Sequence, residues 1–483
     1  PEKKKFWLSR PFIFGAAGAA VLAVVIAVIL ASLPSGGASA PEKQLAAFQR
    51  GGEVIITRGE KILHTLPGTL SYLQHDTSRE TMAVELSGGE LYAVTPKKAE
   101  RVSAAAAENF MLSQNGAMIY CPNPENSTET LRYNVKSGHT DIIPGQFTAV
   151  SPNGRTIGYA VGTSDGGVQI YHQTDNNVTV TQGAGYIVAV SDGAKFIYYL
   201  RDNALNVFDG KSSVQLVPDF SVIDQLIYSA DMNEVIFSYE GRTYISRKGA
   251  EKERLTESAL LGIPDCAVKS SVLTFYSGKR FAGVPLDCAD GTYFMNNSGK
   301  AVKMSNASLA AVSADGRAAV LTDSDGRFYL SDVGESTSET HLKSFGSGDS
   351  SPVVRISKDG KLIYCLNSTG ELYASKNGAD SVLISSGVAA YALSPDGNTA
   401  YYITDYSNGI GDLYVSTGAG KGKLTEGIGD VTDVRSSPSG TYVYTNPEST
   451  GAALFYANKS EFARIDYGIA YTDSGITTGI SGD

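Results

Sequence analysis

Short runs of alternating apolar and polar residues cover most of this chain, and turn-forming residues separate the runs. Residues 353–374 show the unit, in which an alternating run, the turn Asp359-Gly360, a second apolar run and the turn Ser368-Thr369-Gly370 precede a third run. A period of two predicts half-buried β-strands, and Asp-Gly is a strong hairpin signal. The pattern predicts hairpin-linked strands, and it shows no amphipathic helix longer than two turns outside residues 12–33.

A turn of the form Ser-x-Asp/Asn-Gly recurs along the chain, and a β-rich run follows each copy. Ser394-Pro395-Asp396-Gly397 is a full copy, Ser191-Asp192-Gly193 is one residue shorter, and Ser229-Ala230-Asp231 has lost the glycine. Asp and Asn side chains hydrogen-bond to their own backbone two residues on, and glycine adopts the positive φ of tight turns. The turn residues predicted to have this structural role are Asn115, Gly116, Asn153, Gly154, Asp192, Gly193, Asp315, Gly316, Asp359, Gly360, Asp396 and Gly397.

A second landmark is an apolar strand that ends near an aromatic residue, and it recurs roughly every 40 residues, the spacing of a four-stranded propeller blade. We therefore predict an all-β fold, a β-propeller of about eight to ten four-stranded units or two smaller propellers in tandem. Residues 52–66 contain two more potential strands, which are expected to complete the last unit or to form a neck below the ring. The landmarks are Tyr92, Tyr133, Tyr171, Phe208, Tyr244, Tyr293, Tyr329, Tyr373, Tyr414 and Tyr456.

The Ser-Pro-Asp-Gly turn, followed by an aromatic-rich strand and a Leu-Tyr strand, resembles the WD40-like repeats of TolB-type β-propellers over roughly residues 70–460. The resemblance implies the propeller fold and leaves the function open, because such propellers have many roles. Residues 259–307 depart from it, since this unit is longer and lacks the Ser-led turn. The unit at residues 75–92 is degenerate, and the Trp-Asp dipeptide of WD40 repeats is absent because the only Trp is Trp7.

Residues 12–33 form an uncharged apolar run, FIFGAAGAAVLAVVIAVILASL. About 20 apolar residues span the ~30 Å hydrocarbon core of a bilayer as a helix. Basic residues precede the run and are absent from the linker just after it, which places the N-terminus in the cytoplasm. The sequence therefore predicts a single-pass protein of the cell membrane whose propeller lies outside.

A cleaved signal peptide is the competing interpretation, because Ala38-Ser39-Ala40 resembles a cleavage site. The apolar run is longer than a usual signal-peptide core, and Pro41 after the cut is a poor peptidase substrate, so we favour a retained anchor. Gly15, Gly18 and Ala19 leave one helix face small enough to pack against another helix. The predicted segments are a basic cytoplasmic tail (1–11), the transmembrane helix (12–33), a flexible linker (34–50), the propeller ectodomain (51–470) and a C-terminal tail (471–483).

The formal net charge is −10, and hydrophobic residues make up 42% of the chain. This apolar fraction is sufficient for a substantial core, so a fully disordered chain is excluded. Nucleic-acid binding requires a basic surface, so no nucleic-acid partner is predicted. An acidic surface is mainly an indication of solubility.

The sequence contains candidate catalytic and metal-binding patterns, but the residues around each pattern do not match the structure that the motif requires. The histidines are isolated, so no zinc site is predicted. Gly162-Thr163-Ser164-Asp165-Gly166 matches a nucleophile elbow, but no helix follows it, so we interpret it as a hairpin turn. Asp323-Ser324-Asp325-Gly326 also stands between strands and is interpreted as a turn, with a calcium loop as the alternative. No catalytic residue, metal site or cofactor is predicted.

Four cysteines occur without a CxxC pair. Cys266 and Cys288 lie in one irregular segment and are a candidate disulfide if the compartment is oxidising. The alternative is that all four cysteines are small buried apolar residues.

These observations predict a membrane-anchored, extracytoplasmic β-propeller of a bacterial cell envelope that acts as a protein-binding or scaffold module. Its expected partners are the membrane, through residues 12–33, and another envelope or membrane protein or a second copy of the chain. The alternatives are a sensor that binds a ligand or polymer, and a propeller hydrolase or lyase that acts on a cell-surface polymer.

Overall fold

The computed structural model describes residues 43–467 except 107–108, 265, 271–272, 335–337, 344, 346–351, 419, 421, 425–427, 429, 446–452 and 460. The chain divides into two compact units, residues 1–37 and 38–483, and all described residues lie in the second. The predicted anchor at residues 12–33, its packing face at Gly15, Gly18 and Ala19, and the C-terminal tail lie outside the described residues. In the part that is described, no helix is both long enough and apolar enough to span a membrane.

The described chain is built from short strands, which we group into sheets 1 to 11 in chain order. Sheets 1 to 3 contain β1 (Leu45–Arg50), β2 (Glu53–Arg58), β3 (Lys61–Pro67); β4 (Leu70–His75), β5 (Met82–Leu86), β6 (Leu91–Val94), β7 (Ala99–Ser103); and β8 (Met111–Leu112), β9 (Met118–Asn123), β10 (Asn126–Asn134), β11 (Thr140–Ile143). Sheets 4 and 5 contain β12 (Gln146–Val150), β13 (Thr156–Gly162), β14 (Val168–Thr174), β15 (Asn177–Val180); and β16 (Tyr186–Val190), β17 (Ile197–Arg201), β18 (Ala204–Phe208), β19 (Ser213–Val217).

Sheets 6 and 7 interleave along the chain. They contain β20 (Ile223–Tyr228), β21 (Glu234–Tyr239), β22 (Arg242–Arg247), β23 (Glu253–Thr256), with the hairpin β25 (Cys266–Ser270) and β26 (Leu273–Tyr276); and β24 (Leu260–Gly262), β27 (Pro285–Cys288), β28 (Gly291–Met295), β29 (Ala301–Ser305). Sheets 8 and 9 contain β30 (Ser308–Val312), β31 (Ala318–Thr322), β32 (Phe328–Asp332), β33 (Glu339–His341); and β34 (Val353–Ile356), β35 (Leu362–Leu366), β36 (Leu372–Lys376), β37 (Val382–Ser385). Sheets 10 and 11 contain β38 (Ala390–Leu393), β39 (Thr399–Ser407), β40 (Ile410–Thr417), β41 (Lys423–Leu424); and β42 (Val431–Ser437), β43 (Gly440–Thr445), β44 (Ala453–Asn458), β45 (Glu461–Tyr467).

Each of sheets 2 to 11 is built on four antiparallel strands, and neighbours in sequence pair in space except in sheet 7, where β24 pairs with β27. Sheets 10 and 11 join where Gly411 of β40 pairs with Val431 of β42. Antiparallel order places all turns between first and second strands, and between third and fourth strands, at one end of the sheets. We call this end the turn end. The turns between second and third strands, and the links to the next sheet, lie at the other end, which we call the hairpin end.

Apolar side chains fill the space between consecutive sheets. One cluster runs through sheets 3 to 6, and separate clusters join sheets 1 and 2, 2 and 3, 6 and 7, 8 and 9, 9 and 10, and 10 and 11. Sheets 7 and 8 meet where Asp287 accepts a hydrogen bond from the Leu309 amide at 3.1 Å. The second strands are the most buried because a sheet covers each of their faces, as in β21 and β43.

The last sheet packs against the first, since sheet 11 contacts sheet 1. Ala46, Phe48 and Ile55 of sheet 1 share a buried cluster with Tyr442, Tyr444 and Leu454 of sheet 11. The rings of Phe48 and Tyr442 meet edge to face at 4.9 Å. Successive four-stranded sheets that pack face to face, with the first against the last, have the architecture of a β-propeller. The predicted all-β fold is therefore confirmed. We call the junction of sheets 11 and 1 the seam.

The start of the domain differs from the prediction. Residues 45–50, assigned to the flexible linker 34–50, form the buried strand β1. The strands predicted within residues 52–66 are present as β2 and β3, but they belong to a separate three-stranded sheet and do not complete the last unit. The linker prediction is wrong for residues 45–50 because a strand that is covered on both faces has no polar alternation to reveal it.

The long unit at residues 259–307 contains an inserted hairpin, β25–β26. This hairpin leaves sheet 7 and adds to sheet 6, where β26 pairs in parallel with β20 through Ile227–Thr274 and Tyr228–Phe275. The insertion explains why this unit departs from the repeat of roughly 40 residues.

Candidate functional site

The Ser-led turns share one hydrogen-bonding pattern. Ser357, which is fully buried, donates its hydroxyl to Asp359 Oδ1 at 2.8 Å and accepts the Leu362 amide at 2.9 Å. Asp359 Oδ1 also accepts the Lys361 amide at 3.2 Å, and Gly360 has φ 73°. The serine and the acidic residue thus replace backbone partners that the turn removes. Equivalent hydroxyl-to-side-chain bonds start from Ser113, Ser151, Ser229, Ser313 and Ser394.

The predicted turn residues all lie between a first and a second strand, at the turn end. Asp192 and Gly193 belong to a short 3-10 turn, Asp192–Ala194. Where the glycine is missing, Met232 takes the positive φ of 57° in its place. The side chains of Asn115, Asn153, Asp315, Asp359 and Asp396 accept hydrogen bonds within their own turns.

Sequence analysis did not reveal that these turns are linked from sheet to sheet. The Lys358 amide donates to Asp396 O at 3.0 Å, and the Asn153 amide donates to Asp192 Oδ1 at 2.9 Å. Tyr120, on a second strand, donates its hydroxyl to Gly154 O of the following turn at 2.6 Å. The spacing of about 40 residues was the available signal, because each bond reaches the Ser-led turn of the next unit.

The other candidate sites from the sequence, the loop at Asp323 and the turn at residues 162–166, form hydrogen bonds within their own turns. Asp323 accepts the amides of Asp325 and Arg327, each at 2.9 Å, and the Tyr329 hydroxyl at 2.9 Å. In Gly162–Gly166 the Thr163 amide donates to Gly167 O at 2.9 Å, which closes the predicted hairpin turn. Among the described residues, no three His, Cys, Asp or Glu side chains are grouped as metal ligands.

The thiols of Cys121, Cys288 and Cys365 are buried. Burial raises the pKa of Cys121 to about 12 and that of Cys288 to about 11, so both are protonated at neutral pH. The side chain of Cys266 lies outside the described residues. The Cys266–Cys288 bridge therefore stays a prediction.

A cleft of about 470 Å³ lies at the turn end of the seam. The turn between β2 and β3 forms one wall together with Leu63, and residues of β44 and β45 form the other. Charged groups of both signs line it beside a tyrosine ring, a lining suited to a small polar ligand. The lining residues are Arg58, Gly59, Glu60, Lys61, Leu63, Tyr456, Asn458, Glu461 and Ala463.

The outer edge of sheet 4 is an open strand edge. All four residues of β15 are exposed, with Val178 at 51% and Val180 at 47%. Val180 pairs with Tyr171, and Tyr171 stacks on Tyr159 at 5.4 Å, so an aromatic row leads from the core to this edge. Most other outer strands carry a charged residue, which blunts an edge against pairing. The exceptions besides β15 are β19 and β37.

Backbone geometry leaves this edge ready to pair. A two-residue turn joins β14 and β15, so Thr174 and Asn177 beside it form a hydrogen-bonded pair. Hydrogen-bonded and non-hydrogen-bonded pairs alternate, and the Thr181 amide continues the series by donating to Ile170 O at 2.8 Å. The N–H and C=O groups of Val178 and Val180 therefore point away from β14, while their side chains lie on the same face as Tyr171.

The wall of sheet 3 opposite this face is polar. Arg132 donates to Asp141 Oδ2 at 2.8 Å, and His139 Nε2 lies 3.0 Å from the other oxygen of the same carboxyl group. The hydrogen bond from Arg132 lowers the pKa of Asp141, which stays ionised. An apolar strand edge beside a charged wall is an arrangement typical of protein-binding surfaces.

No protein-family model matches the chain, and no curated protein matches it. Among solved structures, a eukaryotic initiation factor aligns with a TM-score of 0.41 at 8% identity, over 79% of this chain and 95% of that one. A TolB protein from Agrobacterium tumefaciens aligns with a TM-score of 0.29 at 15% identity, over 41% and 88%. The tricorn protease aligns with a TM-score of 0.29 at 11% identity, over 88% and 58%. These scores are low, and the fold assignment rests on the strand order and packing described above.

Proposed function

We propose that this chain is a membrane-anchored β-propeller of the bacterial cell envelope, with TolB-type repeats, which binds another envelope protein as a scaffold and catalyses no reaction. The observation that carries the binding role is the exposed, uncharged edge of β15. Strand edges of this kind bind an extended segment of a partner, because main-chain hydrogen bonds supply affinity and alternate side chains supply specificity. The partner segment is therefore an extended peptide with apolar residues at every second position.

Anchoring is supported by the uncharged run at residues 12–33 and by the basic residues before it. A protein held beside the membrane meets membrane partners at a high local concentration, so a short strand pairing suffices for a stable complex. A single short edge strand forms few hydrogen bonds with a partner. The high local concentration of partners at the membrane compensates for this weak binding.

Replacing both Val178 and Val180 with lysine is expected to abolish capture of the partner. Burying one valine contributes about 1.5 kcal/mol, so losing two weakens binding roughly a hundredfold. The measurement is purification of the full-length protein from its own membrane in mild detergent, followed by mass spectrometry of the proteins that copurify. The matched control is Val382→Lys on β37, a valine exposed to 45% on another uncharged edge. Equal yields of one stoichiometric partner from all three proteins contradict the role of β15, and a lone monomer from the unmodified chain contradicts the scaffold role.

A retained anchor predicts that the mature protein stays in the membrane pellet after an alkaline wash. The variant that lacks residues 12–33 is expected in the soluble fraction. The intact mass of the purified protein distinguishes an anchor from a signal peptide, because cleavage after Ala40 leaves a chain that begins at Pro41. Finding that shorter mass overturns the anchoring proposal and leaves the binding proposal untouched.

A further inference from the structure

The turns between third and fourth strands carry exposed lysines. These turns, and the corresponding turn between β2 and β3, lie at the turn end, and eight sheets have an exposed lysine in or beside them. Lys136 lies between β10 and β11, and Lys248 lies between β22 and β23, so both place a positive charge at this end. The eight lysines are Lys61, Lys97, Lys136, Lys211, Lys248, Lys300, Lys376 and Lys459.

The turns between second and third strands, at the hairpin end, have the opposite charge. Eight sheets carry an aspartate or glutamate there, as at Asp202 between β17 and β18 and at Glu240 between β21 and β22. Among the described residues, no lysine lies in these turns. The two ends of the domain therefore differ in charge. The acidic residues are Glu90, Glu125, Asp165, Asp202, Glu240, Asp290, Asp325 and Glu371.

The Ser-led turns at the turn end do not reverse this difference, because their basic residues match their acidic residues in number. Lys361, for example, forms an ion pair with Asp359 at 3.0 Å. The lysines of the third-to-fourth turns therefore make the turn end basic relative to the hairpin end. The basic members of the Ser-led turns are Arg155, Lys195, Arg317, Lys358 and Lys361, and the acidic members are Asp192, Asp231, Asp315, Asp359 and Asp396.

The two ends act separately on a charged surface at physiological salt. A strand of five or six residues spans about 17–20 Å. Screening limits the reach of an exposed charge to about 8 Å at physiological ionic strength. A surface that contacts the turn end is therefore screened from the acidic hairpin end, and the net charge of −10 does not prevent binding of an anionic surface.

The first strand begins at the basic end. The amide of Leu45, the first residue of β1, donates to Arg79 O at 2.9 Å, and Arg79 lies in the turn between β4 and β5. Eleven residues, 34–44, separate Leu45 from the apolar run at residues 12–33. An extended residue covers at most about 3.6 Å, so this link reaches at most about 40 Å. A membrane anchor in the apolar run therefore tethers the domain from its turn end.

We propose that the turn end binds the anionic headgroups of a phospholipid bilayer through the exposed lysines of its third-to-fourth turns. The choice of a bilayer rests on the anchoring proposed above, because a tether gives this end a high effective concentration at the membrane. A lysine beside an anionic bilayer strengthens binding about fivefold, and several lysines on one end of a domain act together. The domain is thereby held against the bilayer with its acidic hairpin end directed away.

Amine acetylation of the full-length protein in lipid nanodiscs tests the proposal. The discs contain phosphatidylcholine alone or an equal mixture with phosphatidylglycerol, and peptide mass spectrometry gives the acetylation rate of each lysine. We expect Lys136, Lys211 and Lys248 to react on the order of tenfold more slowly in the mixed discs. Lys303 is the internal control, because it lies 3.0 Å from Asp290 of the hairpin end. Equal rates in the two kinds of disc overturn the proposal.

Replacing four of the turn-end lysines with glutamine is expected to restore fast acetylation of Lys248, because losing four charges weakens binding roughly 600-fold. The matched control removes four acidic charges from the hairpin end and is expected to leave the rate at Lys248 unchanged. Slower acetylation of Lys248 in this control makes net charge the cause and overturns the proposal. The compared changes are Lys97→Gln, Lys136→Gln, Lys211→Gln and Lys300→Gln, and in the control Glu90→Gln, Glu125→Gln, Asp202→Asn and Glu240→Gln.

The same measurement separates a lipid surface from an anionic polymer, and lipid binding from anchoring. Slow acetylation that requires added polyglutamate, and is absent in the mixed discs alone, assigns the turn end to a polymer and overturns the proposal. Protein that does not enter the discs contradicts the anchor alone. Acetylation is then repeated with that protein and vesicles of the same two compositions, where a slower reaction of Lys136 and Lys211 in the mixed vesicles supports the lipid-binding surface and equal rates overturn it.

Discussion

Replacing Gly397 with alanine is expected to lower the free energy of unfolding by about 3 kcal/mol. Gly397 has φ 72°, a left-handed conformation that costs a residue with a Cβ about 1–2 kcal/mol. A Cβ built at this position lies 2.4 Å from the Ser357 Cα of sheet 9, a backbone atom that cannot rotate away. The turns of sheets 9 and 10 must therefore separate, and the hydrogen bond from Lys358 to Asp396 is lost with them. The urea midpoint measures the effect.

Gly409→Ala is the matched control for this substitution. Gly409 has φ 86°, but a Cβ there meets no atom within 4 Å, so only the conformational cost of about 1–2 kcal/mol remains. Equal destabilisation by the two substitutions contradicts the close packing of neighbouring turns. The effect of Gly397→Ala is then due only to the positive φ at this position.

Replacing Phe48 with alanine is expected to destabilise the protein by about 3–5 kcal/mol, the range for a large aromatic residue removed from a core. Phe48 is 3% exposed and packs edge to face on Tyr442. Its ring belongs to the apolar cluster between sheets 11 and 1. The substitution is therefore expected to weaken the packing at the seam. Hydrogen exchange is expected to rise together in residues 45–58 and 440–467, which are distant in sequence.

Tyr72→Ala is the control for the aromatic substitution. Tyr72 also makes an edge-to-face contact, with Phe110 at 5.5 Å, but it is 38% exposed and lies away from the seam. We expect a loss below about 1.5 kcal/mol and no change in exchange at residues 440–467. Faster exchange confined to residues 45–58 in Phe48→Ala contradicts the coupling of the two ends.

The repeated strands and turns could be predicted from the sequence because their signals are local. A hairpin turn such as Asp359-Gly360 and the alternation beside it lie within a few residues of each other. The strand β1 was missed because its burial comes from sheets 2 and 11, which are distant in sequence. The parallel pairing of β26 with β20 was also missed, since no local pattern specifies the partner of an inserted hairpin.

The candidate binding edge was less accessible to sequence analysis. Asn177–Val180 reads as one more short strand, and only the sheet order places it at an open edge. The individual turn residues were predicted from the sequence. Their hydrogen bonds to neighbouring turns were not, because these bonds depend on how the sheets stack. Tyr120 illustrates this, because its hydroxyl reaches Gly154 across the gap between sheets 3 and 4.

The neighbour-to-neighbour packing of the sheets bears on how such a chain can grow. Each interior sheet presents one face to the sheet before it and the other to the sheet after it, and the turns connect in the same way. A gene duplication of one unit therefore adds a sheet whose two faces already fit its new neighbours. Because the packing is closed at the seam, the added sheet changes the angle at every interface by a small amount. Chains of this kind can gain or lose units during evolution while each sheet keeps a neighbour on both faces.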